Sequence, residues 1–181
     1  KQKIITFTKK QDMKKILSIL GARPQFIKAA AVSSAMVKTK RLQEVMLHTG
    51  QHFDDNMSQV FFDQMALPQP SYNLNIREDS HAAMTAGMLM GIEKAIQEER
   101  PDLVLVYGDT NSTLAGALAA AKMNIPLAHV EAGLRSRNMR MPEEINRILT
   151  DRISSLLFCP TQTAVRNLEM EGFEHFPAQL V

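Results

Sequence analysis

Short uninterrupted apolar runs alternate along this chain with longer segments in which apolar residues recur every three or four positions. The runs Ile16–Leu20, Val45–His48, Leu103–Tyr107, Ile125–Val130 and Ser155–Cys159 have strand length and carry few polar residues on either face. Strands of that kind belong to a parallel sheet covered on both sides by helices. Between them, helical spacing predicts helices from Pro24 to about Lys40, over His81–Glu99 behind a Ser80 cap, and over Thr113–Lys122. A further helix starts at Pro142 with Ile145, Ile148, Leu149 and Ile153 turned inward, and another runs from Thr161 to about Glu171, stopped by Gly172. Asp54 or Asn56 can cap a helix with Met57, Val60, Phe61, Met65 and Leu67 on its apolar side. Tyr72–Ile76 reads as a short strand, and Gln179–Val181 as the start of one more. The sum is one α/β domain, a Rossmann-like parallel sheet with helices on both faces, over residues 13–181. Residues 1–12 precede Met13 and read as a leader or a remnant of expression.

Composition narrows the class. A chain of 181 residues with 45% hydrophobic and 22% charged residues is ordinary for a globular domain. A net charge of +2 gives no reason to expect a nucleic-acid partner. No run approaches the ~18 to 20 apolar residues that span a bilayer, so no membrane is expected. Cys159 is the single cysteine, which excludes an intrachain disulfide and fits a reducing cytoplasm.

Candidate chemistry gathers at the strand ends. The Leu103–Tyr107 run ends in Gly108-Asp109, and Ile125–Val130 ends in Glu131-Ala132-Gly133. Glu143-Glu144 opens the helix after Pro142. Ligands of open parallel sheets bind outside the carboxyl ends of the strands, so three carboxylate positions point to one crevice. Carboxylates in a cleft serve as general base and general acid. Taken singly, each acid reads more readily as a helix cap or a complement to a helix dipole; together at one rim they suggest a site. Gly21-Ala22-Arg23-Pro24 is a strand-to-helix loop, and Arg23 and Lys28 beside free helix-start amides suit a phosphate. His52 closes the second strand unit and could meet a ligand. The loop lacks a G-x-G-x-x-G fingerprint, and the chain has no P-loop and no metal-ligand spacing.

The segments GARPQFIKAA, HTGQHFD, VYGDTNSTLAGALAA, HVEAGLRS and MPEEINRILTD together resemble the non-hydrolysing UDP-N-acetylglucosamine 2-epimerase family, with wording nearest to the branch acting on UDP-2,3-diacetamido-2,3-dideoxyglucuronate. The resemblance implies the N-terminal half of a GT-B-like two-domain enzyme, with the C-terminal UDP-binding half outside this chain. It implies that Asp109, Glu131 and Glu143 are the acids of the reaction, and that Arg23 and Lys28 contact substrate phosphates or sit beside those acids. Gln51 and His52 would lie near a second nucleotide-sugar site. The implied reaction inverts C2 of a UDP-2-acetamido sugar by eliminating and re-adding UDP, with no metal and no nicotinamide. A cytoplasmic homodimer serving cell-envelope polysaccharide synthesis is the implied setting. Two other readings compete: a non-catalytic nucleotide-sugar-binding half, and half of a GT-B glycosyltransferase.

Overall fold

The computed structural model describes residues 13–50, 67–173 and 178–181. Among the described residues, seven parallel strands make one sheet: β1 (Lys14–Leu20), β2 (Leu42–His48), β3 (Tyr72–Asn73), β4 (Leu103–Tyr107), β5 (Leu127–Val130), β6 (Leu156–Cys159) and β7 (Ala178–Leu180). Their order is β3-β2-β1-β4-β5-β6-β7. The described helices are α1 (Arg23–Thr39), α2 (His81–Glu99), α3 (Asn111–Lys122), α4 (Pro142–Ile153) and α5 (Gln162–Met170). The strand order reverses between β1 and β4, which is where a doubly wound sheet opens its ligand crevice.

Strand alternation explains why the apolar runs are unbroken. Leu17, Ile19, Val45, Leu47, Val104, Val106 and Leu127 face α2 and α3, which contribute Met88, Ile92, Ile96 and a row of alanines. Ile16, Leu20, Met46, Leu105, Tyr107 and Ala128 point the other way and meet Phe26, Ala29 and Met36 of α1. Both faces are therefore packed, so most strand side chains are apolar, with Ser18, His48 and His129 buried among them. The register pairs Ile19 with Val106 and Tyr107 with Val130, so β1, β4 and β5 end at one level. Gly21, Gly108 and Glu131 consequently share one rim.

Two expectations need correction. The predicted Tyr72–Ile76 strand is only Tyr72–Asn73. Asn75 turns to φ 50°, which ends the regular strand, and Leu74 and Ile76 pack against the α2 side of the core while their amides still donate to the His48 and Thr49 carbonyls at 2.9 and 3.0 Å. The inward face predicted for α4 holds only in part. Ile145 and Leu149 are 38% and 45% exposed, whereas Glu144, Asn146, Thr150 and Asp151 are buried. This helix lies along the rim of the sheet, where its inner positions meet backbone turns and charged groups. Hydrogen-bonding side chains are stable there and apolar ones would leave those groups unpaired. Ile153, one turn further on, does reach the core.

Candidate active site

The first wall of the crevice is the β1–α1 turn, and Gln25 organises it. Gln25 is buried, and its Oε1 accepts from the amides of Gly21 and Ala22 at 2.7 and 3.0 Å. Its Nε2 donates to the Tyr107 carbonyl at 2.6 Å and lies 3.1 and 3.2 Å from the hydroxyls of Thr110 and Thr113. One amide side chain thus ties the end of β1 to the end of β4. It also takes up two of the amides that the sequence suggested were free for an anion, so the loop is not the open cradle expected there. Arg23 stands exposed at the loop tip, and Lys28 follows on the next turn, half-buried.

The second wall is formed by two turns that carry the acids. Gly108 adopts φ 64° and delivers Asp109 beyond the end of β4; Thr110 then caps α3, with Thr110 N–H donating to Thr113 Oγ1 at 3.1 Å. At the end of β5, Glu131 adopts φ 79°, a left-handed conformation uncommon outside glycine. The amides of Glu131 and Ala132 both donate to the Phe158 carbonyl at 3.0 Å, which holds the turn. The result is that the Glu131 carboxylate lies over Gly108, 3.3 Å from where a β-carbon on that glycine would stand. Backbone strain of this kind persists where the surroundings over-determine it and clusters at functional sites.

Each of these acids has a cation from a neighbouring helix. Lys28 Nζ on α1 donates to Glu131 Oε2. Arg147 Nη2 on α4 donates to Asp109 Oδ2 at 2.5 Å, while Arg147 Nη1 donates to Glu144. Asn146 adds a bond from Nδ2 to the Asp109 carbonyl at 2.9 Å. For the guanidinium, burial would lower its pKa, but Asp109 and Glu144 outweigh that and raise it.

The adjacent glutamates of α4 have separate fates. Glu144 is fully buried and accepts from the amides of Ser136 and Arg137 at 3.0 and 2.6 Å as well as from Arg147. Burial alone would raise its pKa, yet these two amides and the guanidinium hold the carboxyl below the usual range. Glu144 is thereby committed to folding the segment before α4. Glu143 remains exposed in the first turn of the helix. Asp109 and Glu131 are therefore brought to adjoining strand ends. Gln51 and His52, with the helix expected after them, fall outside the described residues apart from Leu67, which is buried beneath α1.

Two residues at this rim were missed in the sequence. Gln25 and Arg147 each connect elements distant along the chain. Arg147 could have been found from its spacing three residues after Glu144, the i, i+3 separation of a helical ion pair. Among the described residues no group of three or more His, Cys, Asp or Glu side chains could hold a metal ion. No described helix is long and apolar enough to cross a membrane.

The fold and this rim define a Rossmann-type α/β domain with paired acidic turns beside its switch point. The family model described as UDP-N-acetylglucosamine 2-epimerase matches residues 34–177, and the chain belongs to that family. It is 62% identical over 167 residues to the UDP-2,3-diacetamido-2,3-dideoxy-D-glucuronate 2-epimerase of Pseudomonas aeruginosa, a match covering 92% of this chain and 47% of that protein. It is 52% identical over 160 residues to the UDP-N-acetylglucosamine 2-epimerase of Methanocaldococcus jannaschii, covering 88% of this chain and 43% of the other. The crystal structure of a Methanocaldococcus jannaschii UDP-GlcNAc 2-epimerase in complex with UDP-GlcNAc and UDP superimposes with a TM-score of 0.88 at 50% identity, over 92% of this chain and 46% of that one. The chain thus spans about half the length of the relatives it matches.

Proposed function

We propose that this chain provides the acid-bearing wall of a non-hydrolysing UDP-sugar 2-epimerase, which inverts C2 of a UDP-2-acetamido sugar. The observation that carries this reading is the placement of the Asp109 and Glu131 carboxylates at the adjoining ends of β4 and β5, next to the switch point, each beside a cation. One carboxylate removes the proton from C2 as the C1–O bond breaks and UDP departs, leaving a 2-acetamidoglucal. UDP then re-adds at C1 while a carboxylic acid delivers a proton to the opposite face of C2. Nothing is oxidised or reduced, so no nicotinamide enters the balance. A weakly acidic C–H needs a positioned base, and the departing diphosphate needs positive charge. Arg23 and Lys28 supply that charge on the β1–α1 side, and Glu143 stands at the outer edge of the rim. The relatives carry about as much chain again, and we place the facing UDP-binding wall there. A homodimer in a reducing cytoplasm, where the buried thiol Cys159 stays unpaired, completes the reading.

The substrate admits two versions. The 62% identity to the diacetamido-glucuronate enzyme favours UDP-2,3-diacetamido-2,3-dideoxyglucuronate, and the 50% match to a structure containing UDP-GlcNAc favours the monoacetamido sugar. The full-length protein should be incubated in deuterium oxide with each UDP-sugar separately. Formation of a C2 epimer carrying deuterium at C2, for either sugar, supports the proposal and selects the substrate. Binding of both sugars without exchange in either would instead favour a nucleotide-sugar-binding module.

A further inference from the structure

His129 lies in β5, two residues before Glu131, and is fully buried. Its Nε2 donates to the Gly108 carbonyl at 2.7 Å, and its Nδ1 sits 2.6 Å from Asp151 Oδ1. The other oxygen of Asp151 accepts from the Gly133 amide at 3.0 Å and from Arg135 Nη1 at 2.7 Å. Gly108 is the residue before Asp109, and Gly133 is two residues after Glu131. A single buried chain of hydrogen bonds therefore runs from the turn that presents Asp109, through His129 and Asp151, to the turn that presents Glu131. Arg135 extends it to Glu171 through two bonds of 2.7 and 2.8 Å.

We infer that His129, held by Asp151, is a positioning residue that fixes the separation of the Asp109 and Glu131 carboxylates. Gly108 and Gly133 take positive φ freely, but Glu131 between them is a non-glycine residue held at φ 79°, a conformation that persists only where its surroundings restrain it. The His129–Asp151 brace supplies restraint to both turns at once. Charged groups sealed inside a protein seldom add net stability over an apolar core of the same shape. Here the network's bonds end on the backbones of the two acid-bearing turns, and that is where it acts. Each ring nitrogen faces an oxygen acceptor, the Gly108 carbonyl at Nε2 and the Asp151 carboxylate at Nδ1, so the brace is complete when both nitrogens donate.

The consequence for turnover rests on the epimerase reading; the hydrogen-bond arrangement does not. In the full-length protein labelled with 15N-histidine, the His129 ring should give two hydrogen-bonded, slowly exchanging N–H signals. A ring with one nitrogen lacking hydrogen would overturn the inference, whatever the activity. His129→Leu should lower kcat for C2 exchange by more than tenfold in folded enzyme, with KM within about threefold of the parent, and His129→Gln should recover part of the loss by donating again to Gly108. Unchanged kcat in a folded His129→Leu variant would also overturn it. If the variants do not fold, the ring signals of the unmodified protein decide. If the unmodified protein exchanges C2 of no UDP-sugar, the epimerase reading fails and the ring signals still judge the brace.

Discussion

Arg147 donates to Asp109 through one guanidinium nitrogen and to Glu144 through the other, so a single side chain on α4 positions a carboxylate at the end of β4. The planar fork of arginine suits two acceptors at once, which a lysine ammonium on a flexible stem does not match. Arg147→Met leaves the fully buried Glu144 with no side-chain counter-charge and should cost about 3 kcal/mol of stability, read as a lower urea midpoint. Arg147→Lys should recover part of the stability and leave Asp109 misplaced, with a larger loss in kcat than in folding. Equal urea midpoints for all three proteins would remove the ion pair from this role.

Gln25 fastens the β1–α1 turn to β4, and its removal has a defined cost. Gln25→Leu keeps the volume but strips the acceptor from two buried amides, Gly21 and Ala22. Each unpaired buried amide costs about 1 to 3 kcal/mol, so the variant should lose roughly 2 to 6 kcal/mol in chemical denaturation. A loss below about 0.5 kcal/mol would mean that the turn finds other partners.

Gly133 and Gly172 offer a paired test of backbone restraint. Both have positive φ, 79° and 83°. A β-carbon at Gly133 would fall 2.4 Å from the Ala164 carbonyl oxygen, while one at Gly172 meets nothing within 4 Å. Gly172→Ala should therefore cost only the conformational penalty of about 1 to 2 kcal/mol. Gly133→Ala must in addition push α5 away from the β5 turn and should lower the melting temperature several degrees further. Equal melting temperatures would show that the turn is not clamped.

Acid stability follows from Glu144, Asp151 and His48. The first two carboxyls titrate lower folded than unfolded: burial opposes this, but amide and guanidinium partners at Glu144, and His129 with Arg135 at Asp151, prevail. Unfolded carboxyls take up protons near pH 4, before the folded ones do. The stability they contribute is complete above that pH and is lost as pH falls through the lower folded values. His48 is lowered chiefly by burial; the unfolded ring protonates first, so a milder decline should begin below about pH 6.5. Urea titrations across pH should show both phases. Asp151→Asn should flatten the phase below about pH 4.5; an unchanged slope there would contradict the assignment.

The sheet was legible because burial on both faces leaves an unmistakable run of apolar residues, and α2 because Ser80 caps it, its Oγ accepting from Ala83 N–H at 3.1 Å. α4 misled because its isoleucines and leucine follow helical spacing while its buried side is Glu144, Asn146, Thr150 and Asp151. Periodicity cannot reveal a helix that buries polar groups against turns contributed by other strands. The same limit hid Gln25 and His129, whose partners lie 82 and 21 residues away along the chain. The acids at positions 109 and 131 were visible because each lies within two residues of a strand end. Which glutamate of the adjacent pair is buried depends on roughly 100° of helix rotation, and only the packed structure decides it.

The most direct test of the account is loss of C2 exchange when either strand-end acid is neutralised. Glu131→Gln and Asp109→Asn should be made in the full-length protein and assayed for deuterium incorporation at C2 of its UDP-sugar. Each variant should remain folded, still bind the nucleotide sugar, and lose at least a hundredfold in exchange rate. Exchange at near-parental rates in both would contradict the account by removing these two carboxylates from the chemistry.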